Sequence, residues 1–267
     1  MGKAILHVHT TFSDGTATVD EILDHVETSS DVDIVGFTDH DDVRAYAAAL
    51  DWKARHPGSR VQPLWGCEVT IWGFKHLLAL IFEPPYPIAP WPKFLPLRRA
   101  TEAIQAAGGL IVIPHVDAFW VGMGRRRMLR VAHELGFLGY ELLTPVPGGR
   151  RAAESLRDWA AGSPLVALGG SDAHHLEHLY QVVIRFPGHT LTDFRGALLE
   201  GAVWPEWGAT PAPVPLSRQL RQHGRALVGQ PSRQLRQWAR RMLTSQRCPS
   251  RLGGYVAEGR HSPAARR

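Results

Sequence analysis

Ala4-Ile5-Leu6-His7-Val8-His9-Thr10-Thr11-Phe12-Ser13-Asp14-Gly15 is the stretch whose reading decides the fold. Its first three residues are an apolar run long enough for a buried strand, and the run ends in His-x-His. Side chains alternate faces along a strand, so His7 and His9 share one face. Two imidazoles side by side at a strand end are a natural start for a metal site. The turn Ser13-Asp14-Gly15 is placed to return a carboxylate towards those rings.

Further along, strand-like and helix-like stretches alternate, and polar residues recur where strands end. Residues 4–8 read as a strand. Residues 18–29 read as a helix with Thr18 as N-cap and Glu21 three positions on, a capping box. Residues 33–38 form a second strand running into Asp39-His40, and 42–56 a helix stopped by Pro57-Gly58. A strand pair over 61–72 and 75–82, joined near Gly73, precedes a proline-rich loop and a helix over 97–107. The strand 110–113 ends at Pro114-His115. A helix (125–135), a strand (137–142) and a helix (151–161) lead to the strand 165–168, which ends at Gly170-Ser171-Asp172-Ala173-His174-His175. A strand (182–186), a helix (191–200) and residues 202–204 close the body. Repeated βα units predict parallel strands lined by helices, with chemistry at the C-terminal strand ends.

The chain of 267 residues, 44% of them hydrophobic, suits one α/β barrel or two small domains. There is no apolar run of about 18 residues to span a membrane. No secretory signal fits ahead of Leu6, since candidate ligands begin at His7. Cys67 and Cys248 lie far apart and show no disulfide or metal pattern, so a cytoplasmic location is expected. The net charge of +5 is uneven: residues 217–267 hold twelve Arg and one acid, Glu258, leaving the preceding body mildly acidic. Prolines 205, 211, 213 and 215 mark residues 205–216 as a linker. The near-repeat Ser217-Arg218-Gln219-Leu220-Arg221-Gln222 and Ser232-Arg233-Gln234-Leu235-Arg236-Gln237 predicts two Ser-capped basic helices, with Leu235, Trp238, Met242 and Leu243 as an apolar stripe of the second. From Cys248 the composition predicts disorder.

The polar residues at strand ends are His7, His9, Asp14, His40, Glu68, His76, His115, Asp172 and His174. Six imidazoles and three carboxylates without cysteine favour Mn, Zn or Fe over a structural zinc. Three divalent ions would leave the site net positive, which suits a phosphate ester dianion.

In this order the motifs His7-Val8-His9-Thr10, Ser13-Asp14-Gly15, Thr38-Asp39-His40, Gly66-Cys67-Glu68, His76, Pro114-His115 and Ser171-Asp172-Ala173-His174 resemble the PHP (polymerase and histidinol phosphatase) family over roughly residues 3–204. The resemblance implies a distorted (β/α)7 TIM-like barrel, here residues 1–204, followed by the linker and a basic tail (217–267) that is helical in part or disordered. The segment around Ser171 and the run after it resemble the PHP-associated extension of short family members. The family likeness also implies a trinuclear centre that hydrolyses phosphate esters. By that resemblance His7, His9 and Asp172 hold one ion, Asp14, His40 and His174 a second, and His76 and His115 a third, with Glu68 bridging the first and third. A hydroxide on the ions held by His7, His9, Glu68 and Asp172 would then be the nucleophile. The implied cofactor is two to three divalent ions, and the implied substrate a small phosphomonoester, a nucleotide or a nucleic-acid 5′ end. Two departures concern the substrate pocket: Ile113-Pro114-His115-Val116-Asp117 replaces the common Ala-His-Pro, and no long insertion separates Glu68 from Asp172.

Several residues fall outside that set. Arg125, Arg126 and Arg127 follow the His115 strand, and one of them is placed to meet a substrate phosphate; the alternative is a solvated first helical turn. Asp39 either orients a ligand or caps the next helix, His175 points away from its neighbour His174, and Cys67 belongs to the core. Trp204 and Trp207 are read as packing residues. The tail can bind nucleic acid or an acidic surface, or be a solvated arm. Two rival readings stand beside the phosphoesterase. An amidohydrolase-type metal hydrolase needs a lysine ligand, for which Lys53, Lys75 and Lys93 are the candidates. A non-catalytic protein would bind nucleic acid through its tail.

Overall fold

Short apolar strands such as Leu110-Ile-Val-Ile113, buried almost throughout, require cover on both faces, and the architecture supplies it. The computed structural model describes residues 1–146 and 148–226. Nine strands form one sheet: β1 (Gly2–Val8), β2 (Ile34–Phe37), β3 (Gln62–Ile71), β4 (Lys75–Ile81), β5 (Leu110–Ile113), β6 (Gly139–Leu143), β7 (Val166–Gly169), β8 (Val182–Phe186) and β9 (Trp204–Trp207). Their order is β7-β6-β5-β4-β3-β2-β1-β8-β9. The helices are α1 (Val19–Ser29), α2 (Arg44–Arg55), α3 (Leu97–Ala106), α4 (Arg125–Leu135), α5 (Gly149–Ala160), α6 (Leu191–Glu200) and α7 (Leu216–Gly224). The sheet curls into a nearly closed barrel, β7 returning towards β8 and β9: a valine of β8, Val182, packs against Gly169 at the end of β7.

Not every neighbour is parallel. The pairs β1–β2, β2–β3, β5–β6 and β6–β7 are parallel, but β3–β4, β4–β5, β1–β8 and β8–β9 are antiparallel. For the two pairs of β4 the expected hairpin over β3 and β4 is the cause: a three-residue connection reverses the chain where a helical crossover would have kept it parallel. The barrel is therefore a distorted one. The capping box at α1 forms as the sequence predicts, Thr18 and Glu21 satisfying each other's backbone amides.

The residues sort into an inner stack and an outer shell. Ala4 and Leu6 of β1, Ile34 of β2, Leu64 of β3, Leu78 and Leu80 of β4, Val112 of β5, Leu168 of β7 and Ile184 of β8 form one cluster with Phe194 of α6. Their alternation partners face the helices: Ile5, Val35 and Phe37 meet α1 and α2, while Trp65, Cys67, Ala79, Ile111 and Tyr140 meet α3, α4 and α5. The interior is thus filled with side chains, and a site must sit at its mouth.

Two boundaries differ from the sequence reading. Strand β9 pairs with β8 through Trp207, so the body runs three residues into the stretch expected to be linker. Pro205 is tolerated there because β9 is the sheet's terminal strand. Helix α7 begins at Leu216 after Pro215, not at a Ser217 cap. The second basic helix, its apolar stripe and the tail from Cys248 lie outside the described residues.

Candidate metal centre

The inner face carries the site, because continuing the inner stripe upward replaces aliphatic residues with ligands. On β3, Leu64, Gly66 and Glu68 share a face, and on β4 His76 continues the row of Leu78 and Leu80. On β1 simple alternation would fail: with Leu6 inward, His7 would turn outward. Instead His7 adopts φ 63°, the register shifts between Ile5 and Val8, and Val8 joins Ile5 in the outer shell. This irregularity swings both His7 and His9 inward. The rings then lie 5.1 Å apart. His115 (φ 28°) and Asp172 (φ 44°) are likewise held in the left-handed region, which is costly for residues with a Cβ and clusters at functional sites.

All nine residues expected from the sequence converge here. Glu68 is fully buried at the centre, with Oε2 3.1 Å from His7 Nε2, 3.3 Å from His9 Nε2 and 3.0 Å from His40 Nδ1. Its Oε1 lies 2.6 Å from His76 Nδ1 and 3.0 Å from His115 Nε2. Asp172 Oδ1 is 3.3 Å from His9 Nε2 and 3.5 Å from His7 Nε2. The Ser13-Asp14-Gly15 turn returns Asp14 to within 3.2 Å of His174 Nε2, 3.8 Å of His9 Nδ1 and 3.9 Å of His40 Nε2. Gly15 permits this, since a Cβ there would lie 2.3 Å from the His9 carbonyl oxygen.

The donors fall into four overlapping groups able to hold an ion: His9, Asp14, His40 and His174; His7, His9 and Asp172; His7, Glu68 and His115; His40, Glu68 and His76. The chemistry of the donors fits a metal. His9 Nε2 and His76 Nδ1 are buried without an aligned hydrogen bond, although carboxylate oxygens lie nearby. Such orphaned nitrogens are costly unless an ion takes their lone pairs.

Without an ion, nearby carboxylates hold His7, His115 and His174 above the usual imidazole range, while the other three rings lie below it. Burial opposes ionisation of Glu68 and Asp172, yet the surrounding imidazoles hold both well below the usual carboxylate range. Burial also opposes protonation of His174, but Asp14 beside it outweighs this and lifts it to about 9. His9, His40 and His76 are pushed down, chiefly by burial, towards the neutral form that binds metals.

The supporting residues resolve what the sequence left open. Asp39 caps no helix: it accepts from the amide and hydroxyl of Thr10 at 2.8 and 2.7 Å and from the amide of Ser13 at 3.1 Å, and also from the Ser13 hydroxyl. It braces the loop between His9 and Asp14, and burial pushes its carboxyl up to about 6. His175 turns away to Thr16, at 3.0 Å. Cys67 is a buried core thiol. Trp207 packs under Arg150.

Arg125 is engaged by Asp117 at 2.6 Å and by Ser155 at 2.8 Å. Arg126 and Arg127 line, with Met123 and Trp159, a pocket of about 500 Å³ that includes none of the nine donors. The lysines a carbamate-type site would need are occupied elsewhere: Lys53 donates to the carbonyl of Val61, Lys75 to that of Trp120, and Lys93 pairs with Asp41.

Sequence reasoning missed two features. Glu141 on β6, 1% exposed, lies beneath the donors, and a lone acid between Tyr140 and Leu142 in an apolar strand was the signal available. Helix α7 lies at the rim, where Gln222 donates to Asp14 Oδ2 at 3.3 Å, Arg218 pairs with Glu177 at 2.7 Å and Arg225 donates to the Gly15 carbonyl. These three, at helical spacing, form the half-buried face of α7.

A nearly closed barrel with nitrogen and carboxylate donors gathered at its mouth defines an α/β barrel protein with a site able to hold metal ions. Residues 6–108 match the PHP domain and residues 151–203 the PHP-associated family. The chain belongs to the PHP family. Solved structures share the fold. A two-domain protein from Bacteroides vulgatus, described as containing a predicted PHP-like metal-dependent phosphoesterase, is 15% identical with a TM-score of 0.60, over 84% of this chain and 69% of that one. PsfC from Pseudomonas syringae is 16% identical with a TM-score of 0.60, over 84% and 99%. An amidohydrolase from Chromobacterium violaceum, solved with sulfate and no metal, is 19% identical with a TM-score of 0.53, over 82% and 96%. No curated protein shows significant sequence similarity. Among the described residues, no helix is long and apolar enough to cross a membrane.

Proposed function

We propose that the protein is a metal-dependent hydrolase of phosphate esters acting at a site for up to three divalent ions. The observation that carries this is the convergence of six imidazoles and three carboxylates around the buried Glu68, in four overlapping donor groups. His7, His9 and Asp172 would hold one ion, Asp14, His40 and His174 a second, and His76 and His115 a third. Glu68, close to His40 as well as to His7, His9, His76 and His115, would bridge the first and third. When bound, divalent Mn, Zn or Fe supplies Lewis-acid charge and lowers the pKa of water, so no serine or cysteine nucleophile is required.

The chain's own residues do the rest. The apolar stack below the donors excludes water from that side and keeps the carboxylates in a low-dielectric setting where their charge counts. Asp39 fixes the loop carrying Asp14. Three carboxylates only partly offset three divalent ions, so the mouth attracts a dianionic phosphate. The substrate is a small phosphomonoester, a nucleotide or a nucleic-acid 5′ end, and Arg126 or Arg127 can meet one of its more distant phosphates. Nucleic acid or another acidic surface is the partner suited to the basic tail, and a reducing cytoplasm suits the free thiol of Cys67.

The test is phosphate release from a generic aryl phosphate by Mn-loaded protein. The full chain should turn the substrate over, and the His9→Ala variant should lose nearly all activity while melting at a similar temperature without metal. Undiminished turnover by that variant would refute the assignment.

A further inference from the structure

Glu141 has no place among the donors, yet it touches the segments that carry three of them. Its Oε1 lies 2.7 Å from His7 Nδ1, and its Oε2 accepts the backbone amide of His115 at 2.7 Å. Behind it stands Gly170, where a Cβ would fall 1.8 Å from Oε1, so the loop leading to Asp172 is packed directly on the carboxylate. His7, His115 and Asp172 are also the three donor residues with positive φ. A single buried side chain therefore links three strained ligand positions on three different strand ends.

We propose that Glu141 is the positioning residue of the metal centre, fixing the tautomer and ring orientation of His7 and holding the strained backbone of His115. The proposal rests on the metal reading above and deepens it. The chemistry is specific. With Nδ1–H donated to Glu141, the His7 lone pair sits on Nε2, the nitrogen that faces Glu68 Oε2 at 3.1 Å and Asp172 Oδ1 at 3.5 Å. A carboxylate on the far nitrogen of a ligating histidine fixes ring orientation and raises its basicity, and losing it typically weakens metal binding by about 10- to 100-fold. The second oxygen does what an amide cannot do at the same time. A glutamine can accept from one of these two donors with its oxygen, but its NH2 group meets the other donor head-on.

The geometry also predicts which ions feel the change. The groups His7–His9–Asp172 and His7–Glu68–His115 meet Glu141 through His7 and His115, whereas the Asp14–His40–His174 group is reached only indirectly, through the 2.9 Å contact of His174 Nδ1 with the Asp172 carbonyl oxygen. The experiment titrates metal-free full-length protein with zinc against a chromophoric chelator, for wild type, Glu141→Gln and Gly170→Ala. The glycine variant keeps the carboxylate but forces it aside. We expect both variants to bind about 10- to 100-fold more weakly at the His7-dependent sites and within about threefold of wild type at the Asp14 site. Long-range proton–nitrogen NMR of histidine-labelled, zinc-loaded protein should show His7 as the Nδ1–H tautomer in wild type, and that signature should be lost in Glu141→Gln. Wild-type affinity at every site in both variants overturns the proposal alone. Equal weakening at all sites, with loss of cooperative melting in the metal-free state, also overturns it, because Glu141 would then serve the fold. Wild-type protein that takes up no zinc overturns the metal reading and this proposal together.

Discussion

Replacing Glu68 by glutamine removes one charge from the centre of the site while keeping its volume. Between them the two Glu68 oxygens lie 2.6 to 3.3 Å from imidazole nitrogens of five donors, and the side chain is fully buried. Removing one partner of a buried charge pair costs about 3–5 kcal/mol, which is roughly 10²- to 10⁴-fold in affinity. Wild type at an ion concentration about 1,000 times its Kd should gain about 4 kcal/mol of stability. For a chain of this size that is a rise of about 8–16 °C in Tm. At the same concentration the variant would sit at about 0.1–10 times its Kd and gain at most about 1.4 kcal/mol, or about 5 °C. The assay is differential scanning calorimetry with and without Mn. The metal-induced rise is the quantity to read, because the substitution also alters the metal-free protein by leaving five imidazoles without their carboxylate. A rise in Glu68→Gln within about 2 °C of the wild-type rise would refute the central place given to Glu68.

Other outcomes follow from the same geometry. Gly15→Ala should cost about 1–3 kcal/mol by thermal denaturation and weaken the ion held by Asp14, since the new methyl meets the His9 and Thr10 backbone; a neutral result would mean the loop yields freely. Asp39→Asn should cost about 1–3 kcal/mol, because the NH2 group that replaces Oδ2 cannot accept from the Thr10 hydroxyl, and urea titration would show it as a lower midpoint with unchanged slope. In metal-free protein, His174 titrates near 9 when folded against about 6.5 unfolded, so its stabilisation is complete below about pH 6.5 and is lost as pH rises through about 9. The Asp14–His174 pair therefore contributes at most about 3 kcal/mol, and melting in a chelator should fall between pH 6.5 and 9.5 in wild type but less in His174→Asn. With ions bound that slope should flatten, because the ligating imidazole is neutral throughout.

Much of this site was legible in the sequence for a definite reason. Ligands on short strands keep a fixed relation to neighbouring aliphatic residues, so Glu68 follows from Leu64 and Gly66, and His76 from Leu78 and Leu80. The nine donors were named from polar residues at strand ends whose motifs follow the order of the family they resemble. Alternation failed at His7, where a backbone in the left-handed region turns both histidines inward; no residue-type rule marks such a reversal, because His is not a usual occupant of positive φ. Glu141 was readable but passed over, since it belongs to no motif and acts through other residues. The contacts of α7 depend on where a helix docks after a proline-rich run, which composition does not encode. The three-residue β3–β4 connection was recognised as a strand pair, yet its consequence, β4 running antiparallel to both β3 and β5, emerges only from the complete sheet order.

The central claim is that these nine side chains grip divalent ions at the barrel mouth. Its most direct test is a crystal structure of Mn-loaded protein with anomalous scattering recorded at an energy specific to manganese. The account predicts anomalous peaks enclosed by His7, His9, Asp14, His40, Glu68, His76, His115, Asp172 and His174, with Glu68 in contact with more than one ion. No peak at the mouth under saturating manganese, or peaks bound only by other residues, would contradict it.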